Sequence, residues 1–107
     1  MSKDKVALII GAGDYLGSAI ARRFAKDGFH AVGTRRRGDI ASFVEEIEDS
    51  GGKATGMHSD ARKEVQVVEL VERVENEIGP IEVFVFNIGG DVMFQILETP
   101  SRVYTKV

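Results

Sequence analysis

Three glycines and two arginines in this chain have the types and spacing that suit a phosphate-bearing ligand. Gly11, Gly13 and Gly17 lie in Gly11-Ala-Gly-Asp-Tyr-Leu-Gly17, between the apolar run Val6-Ala-Leu-Ile-Ile10 and Ser18-Ala-Ile-Ala-Arg-Arg-Phe-Ala25. That order reads as a buried strand, a tight turn and an amphipathic helix. Glycines there let the chain turn sharply and let a phosphate approach the helix N-terminus, where N–H groups and the helix dipole favour an anion. Arg35 and Arg36 follow a second apolar run. In sheets of this kind the end of the second strand reads the ribose of a dinucleotide. A carboxylate there bonds the 2′-hydroxyl of NAD, whereas arginine favours the 2′-phosphate of NADP. No Asp or Glu occurs between Gly28 and Gly38, so the expectation is NADP in preference to NAD. Each feature also has a plainer reading: a glycine turn can serve packing alone, and an arginine run can be a solvated loop.

Composition narrows the alternatives. The 107 residues are 43% hydrophobic and 29% charged, as in an ordinary globular domain, and are too few for a two-domain enzyme. The formal charge of -3 argues against a nucleic-acid partner, which wants a basic face. With no cysteine and only His30 and His58, a thiol nucleophile, a thiolate metal site and a multi-histidine metal site are not expected. No apolar run approaches the roughly 20 residues that span a bilayer. Met1-Ser-Lys-Asp-Lys5 does not read as a signal peptide, and the expected setting is cytoplasmic.

The elements that must position these residues follow from hydrophobic periodicity. Val6 to Ile10 is a strand covered on both faces. The helix after it carries Leu16, Ile20 and Phe24 on one stripe with Ala21 and Ala25 beside it, and Gly28 stops it. A strand over Phe29 to Thr34 leads into the arginine loop. Asp39 can cap a second helix that buries Ile40, Phe43, Val44 and Ile47, ended by Ser50-Gly-Gly52. Lys53 to His58 reads as a third strand. Asp60 can cap a third helix with Val67, Val71, Val74 and Ile78 inward, and Glu82 to Asn87 is a fourth strand rich in β-branched and aromatic residues. Thr99-Pro100 resembles a helix opening, with Val103 and Val107 starting its apolar stripe. The alternation predicts an α/β fold, a Rossmann-like doubly wound parallel sheet that is incomplete: about four strands, three full helices and the start of a fourth.

Val6-Ala-Leu-Ile-Ile-Gly-Ala-Gly-Asp-Tyr-Leu-Gly17, then Ala21-Arg-Arg-Phe-Ala25 and Gly28, resembles the opening of a short-chain dehydrogenase/reductase. The family's usual Thr-Gly-x-x-x-Gly-x-Gly has its outer glycines at Gly11 and Gly17, with Ile10 in place of threonine and Tyr15 in place of the middle glycine. Gly13 is an additional glycine in the variable part. The resemblance covers essentially the whole chain. It implies a cofactor turn made of Gly11, Gly13, Asp14, Tyr15, Leu16 and Gly17, in which Tyr15 has no chemical role of its own. Asp14 stands where the family's turn can approach the 2′-phosphate, which weighs against NADP. The adenine-contacting acidic residue falls on Asp60, with Ala61 beside it. The family's Asn-Asn-Ala-Gly appears as Phe86-Asn-Ile-Gly89, so that Asn87 and Gly89 line the ribose side.

The resemblance further implies hydride transfer between a nicotinamide cofactor and a small-molecule carbonyl or alcohol, with homo-oligomers common. The family's serine, and its tyrosine with a lysine four positions on, belong to a later half of the fold. Tyr104-Thr-Lys106 has the wrong spacing, so no catalytic residue is expected within these residues. Residues 1–107 are therefore expected to form one NAD(P)-binding domain cut short at its C-terminus, the cofactor-binding half of an enzyme. The alternatives are a non-catalytic NADP-binding module and a remnant acting by association. A chain ending at Val107 is expected to leave Val83-Phe-Val-Phe86 on an open apolar edge and to be weakly stable or to pair with another chain.

Overall fold

A computed structural model describes residues 5–12, 15–88, 91–97 and 102–106. Its strands and helices alternate from β1 (Val6–Ile10) through α1 (Tyr15–Lys26), β2 (His30–Arg35), α2 (Ala41–Asp49), β3 (Lys53–His58) and α3 (Glu64–Glu77) to β4 (Ile81–Ile88). Two further strands follow, β5 (Asp91–Leu97) and β6 (Arg102–Lys106). They form one sheet in the order β3-β2-β1-β4-β5-β6. The first four strands are parallel, as the alternating pattern predicts. The expected α/β, Rossmann-like fold is the observed one.

β1 is central because every one of its residues is apolar and can be covered on both sides. All five are buried. Side chains alternate across a strand, so Ala7 and Ile9 meet one helical layer while Val6, Leu8 and Ile10 meet the other. On the first face Ala12, Ala21, Phe43 and Ile47, from α1, α2 and the turn before α1, close a core with Ala31, Val83 and Val85. On the second face Leu70 and Val74 of α3 close a core with Val32, Ile81 and Phe84. Arg22 of α1 and Glu46 of α2 form an ion pair on the outer surface of the first layer.

Several expectations change in detail. Leu16 begins the predicted inward stripe of α1, yet it is 46% exposed at the head of the helix, while Ile20 and Phe24 pack partly buried against the first core. Leu70 is buried in α3 alongside the predicted Val74, with Val67, Val71 and Ile78 partly covered. Asp60 does not cap α3, whose flanking residue is Lys63. Asp39 stands one residue ahead of the position flanking α2 and still accepts the N–H groups of Ala41 and Ser42 at 2.8 and 3.3 Å.

The largest correction is at the C-terminal end. Arg102–Lys106 is a strand, where a helix carrying Val103 is expected, and no fourth helix occurs among the described residues. Thr99, Pro100 and Val107 lie outside the described residues. β5 runs antiparallel to β4, with Val83 opposite Ile96 and Val85 opposite Phe94, and β6 runs antiparallel to β5. The outer edge of β4 is thus paired within the chain, and the expected open edge is not seen. The physical reason is that an apolar strand edge gains a full ladder of hydrogen bonds from an adjacent extended segment, while a helix of a few residues gains little.

Candidate functional site

The parallel strands end together on one side of the sheet, and β1 is where the chain's windings to left and right diverge. Crevices in open α/β sheets form at this reversal of strand order. The turn after β1 is held there by its neighbours on both sides. Gly11 and Ala12 donate their N–H groups to the Thr34 carbonyl at the end of β2, at 2.9 and 2.8 Å. The Gly11 carbonyl accepts a hydrogen bond from the Asn87 amide nitrogen at the end of β4, at 3.1 Å. Ser18 Oγ, in the first turns of α1, donates to the Ala12 carbonyl at 3.0 Å.

The two outer glycines are required by this packing. Gly11 has φ of +89°, and a Cβ added there would stand 2.0 Å from the Asn87 carbonyl oxygen. A Cβ on Gly17 would stand 2.3 Å from the Gly11 carbonyl oxygen. The first therefore lets the turn lie against β4, and the second lets the helix head lie against the turn. Gly13, Asp14 and Gly89 lie outside the described residues, as does the side chain of Tyr15.

Gly11, Arg35, Arg36, Asp60, Ala61 and Asn87 line one cleft of about 310 Å³. Six positions expected to serve one ligand, drawn from the ends of four strands, thus share a single space. Gly17 and Leu16 stand apart from its lining: Gly17 acts through packing, and Leu16 is exposed beside it. Thr34, Ser59 and Arg62 also line the cleft, and the sequence pattern did not single them out. Thr34 and Ser59 carry no motif; only the side-by-side placement of β2 and β3 brings them to the site. Arg62 had a signal, since a cation two residues after an aspartate can fold back onto it.

Charge is arranged along one wall. Arg35 Nη1 donates to the Asp39 carbonyl at 2.9 Å, and the Ser59 N–H donates to the Arg35 carbonyl at 3.1 Å. His58 Nε2 lies 2.7 Å from the Gly38 carbonyl, which can only accept, so this nitrogen carries a proton and ties the arginine loop to β3. His30 instead lies at the opposite end of β2, with Nε2 2.8 Å from Thr55 Oγ1. Asp60 is the most strongly perturbed group. The guanidinium and backbone N–H of Arg62 hold its carboxyl well below the usual carboxylate range, down to about 2, with the Arg62 and Arg36 charges adding to the effect. Its backbone N–H is taken by Gln66 Oε1 at 2.8 Å.

The profile of the short chain dehydrogenase family matches residues 5–107. The chain belongs to this family. A short-chain dehydrogenase/reductase of Armillaria gallica is 31% identical over all of this chain and 42% of its own length. The solved structure of a short-chain dehydrogenase from Rhodopseudomonas palustris is 41% identical, with a TM-score of 0.74 over 91% of this chain and 46% of that one. An actinorhodin polyketide ketoreductase solved with NADPH is 31% identical, with a TM-score of 0.74 over 81% of this chain and 34% of that one. An NADH-dependent reductase complexed with NAD is 26% identical, with a TM-score of 0.72 over 82% of this chain and 37% of that one. The chain spans under half the length of these relatives.

The cleft's own chemistry fits the group that such dinucleotides share. At one wall the Gly11 backbone lies bare against β4, so close that a Cβ there would strike the Asn87 carbonyl oxygen. Thr34 Oγ1 and Ser59 Oγ are buried without a hydrogen-bond partner among the described residues, and buried polar atoms without partners are uncommon in folded proteins. Two arginines supply donors for an anion and one carboxylate supplies an acceptor. Among the described residues no cluster of acidic, histidine or cysteine side chains could hold a metal ion, and no helix is long and apolar enough to cross a membrane.

Proposed function

We propose that this chain is the cofactor-binding part, residues 1–107, of an NADP-preferring oxidoreductase that moves a hydride between the nicotinamide and a small carbonyl or alcohol. The observation that carries the reading is the position of Arg35 and Arg36. They close β2 where a carboxylate would select NAD, and they line the same cleft as Gly11, Asp60 and Asn87. Guanidinium groups present flat, bidentate donors to a phosphate and never lose their charge, so they suit the 2′-phosphate.

In this reading Gly11, Gly13 and Gly17 shape the pyrophosphate turn, with Asp14, Tyr15 and Leu16 around it. Arg35 and Arg36 hold the 2′-phosphate, Asp60 and Ala61 flank the adenine, and Asn87 and Gly89 line the ribose side. When bound, the cofactor supplies or accepts the hydride. What this chain's residues do is bind it, fix its orientation and neutralise its phosphates. None of them is assigned a proton-transfer role: Tyr15 has Ala19 four residues on, and Tyr104, on β6, has its lysine two residues on at Lys106. A cytoplasmic setting and a homo-oligomeric whole protein belong to the same proposal.

Titration calorimetry with NADPH and NADH on the full chain tests it. The expected result is tighter binding of NADPH, and loss of that preference when Arg35 and Arg36 are both changed to Ala. Equal affinity for the two cofactors, or a preference untouched by the double change, refutes the NADP assignment. NADPH binding without hydride transfer to any carbonyl, measured on the whole protein that contains these residues, would favour a non-catalytic NADP-binding module.

A further inference from the structure

Arg62 makes three contacts with one carboxylate two residues away. Its backbone N–H and its Nε both donate to Asp60 Oδ1, at 3.0 and 3.1 Å, and its Nη2 donates to Oδ2 at 3.1 Å. A carboxylate has about four lone-pair directions, two on each oxygen. Oδ1 therefore has both of its directions filled and Oδ2 has one. The acceptor position that remains belongs to a side chain only 12% exposed, on the wall of the cleft.

The ion pair itself is poorly explained as a stabilising feature. The Arg62 side chain is 67% exposed, and pairs with one partner in solvent add little to folding. Its effect is to fix an ionised carboxylate in one rotamer with one oxygen partly unfilled. The ligand chemistry that matches a single fixed acceptor is an N–H donor. Of the common purines, one with an exocyclic amino group at C6 presents such a donor. One with a carbonyl at C6 sets an oxygen against the carboxylate at that position, where two acceptors repel, and its neighbouring N1–H reaches Oδ2 only if Asp60 or the base shifts, which the Arg62 fork on Asp60 opposes.

We propose that Arg62 is a positioning residue that sets the cleft's choice of a 6-aminopurine over a 6-oxopurine, by holding Asp60 so that one acceptor position on Oδ2 is left for the base. This rests on the dinucleotide reading given above and adds to it which residue governs selection of the base. Arg35 and Arg36 select the phosphate; Arg62 acts through Asp60.

The test compares NADPH with reduced nicotinamide hypoxanthine dinucleotide phosphate, which differs at C6 of the purine. Affinities are measured by calorimetry on the full chain for wild type, R62Q and R62K, with NADH as a control ligand. Wild type is expected to prefer NADPH over the hypoxanthine form by about tenfold, the worth of one hydrogen bond to a charged group. R62Q should bring this ratio to about twofold or less, and R62K, which keeps the charge without the fork, should recover part of it. The NADPH to NADH ratio should hold, and the urea transition should stay cooperative although its midpoint falls with the loss of the Arg62 contacts. A wild-type purine ratio retained in R62Q overturns the inference. So does a change in the NADPH to NADH ratio without a change in the purine ratio, which would make Arg62 a phosphate ligand. Equal binding of the two purine forms by wild type refutes this inference alone, whereas failure of wild type to bind any of the three dinucleotides refutes the dinucleotide reading with it.

Discussion

The two walls of the cleft are built on different physics. The wall formed by Gly11, Thr34 and Asn87 is backbone packed against backbone, with Thr34 fully buried and Asn87 6% exposed. Its shape depends on what a Cβ would strike. The opposite wall, formed by Arg35, Arg36, Asp60 and Arg62, is held by charge and hydrogen bonds near solvent. Under the proposed function, the first would fix where a ligand can approach, and the second which ligand gains by approaching. The division predicts that one wall responds to sterics and the other to salt and pH.

The largest effect is expected from Gly11→Ala. A side chain in this left-handed conformation costs roughly 1–3 kcal/mol, and the 2.0 Å approach to the Asn87 carbonyl adds a clash. A stability loss of about 3 kcal/mol or more, read by urea denaturation, should accompany loss of dinucleotide binding. A stable, binding-competent variant would show that the backbone wall is not rigid. Asn87→Ala removes the buried donor to the Gly11 carbonyl, and about 1–2 kcal/mol of stability should go with it. Little change there would mean that β4 positions the turn through its backbone alone.

The charged wall should answer to acid. The Asp60 carboxyl is lowered from 3.8 to about 2, so its contribution to stability is complete above about pH 4. It is lost as the pH falls through the folded value near 2, where the carboxyl gains a proton and the Arg62 contacts weaken. Comparing wild type with Asp60→Asn across pH 2 to 5, in roughly half-unit steps, should show a steeper acid loss in wild type. Parallel curves would place Asp60 outside this linkage. The smallest effect on folding is expected from Arg36→Ala, within about 0.5 kcal/mol for an exposed side chain. Its NADPH affinity should nevertheless fall, and should become less sensitive to salt. An Arg36 variant with unchanged affinity but lower stability would reverse the roles of the two walls.

Asp39 and Asp60 show how far local reading carries. Both precede an apolar-periodic run and both read as helix caps. Asp39 meets the N–H groups of Ala41 and Ser42 at the head of α2, and its carboxyl is lowered by hydrogen bonds from Ser42. Asp60 is followed two residues later by an arginine that takes its carboxylate, and α3 starts beyond its reach. The difference is one side chain, Arg62. Thr34 is a harder case. Its hydroxyl is buried in β2 between β1 and β3 and has no partner among the described residues, and nothing local to residue 34 marks it.

The sequence by itself determined the four parallel strands, the three helices and the glycine turn, because each is written in a local period or in a residue that few others could replace. It also placed Arg35, Arg36, Asp60 and Asn87 at strand ends, from which their meeting in one cleft follows once the sheet is parallel. Only the tertiary structure decided that Gly11 must be glycine because of a carbonyl 76 residues away. It alone decided that Arg62 grips Asp60 and that the Thr34 and Ser59 hydroxyls are buried without a partner among the described residues. It also decided the last strands. Thr99-Pro100 is a sound local signal for a helix, yet Arg102–Lys106 joins the sheet through β5, because β5, once laid along β4, presents an edge whose hydrogen bonds outweigh the local preference of those residues.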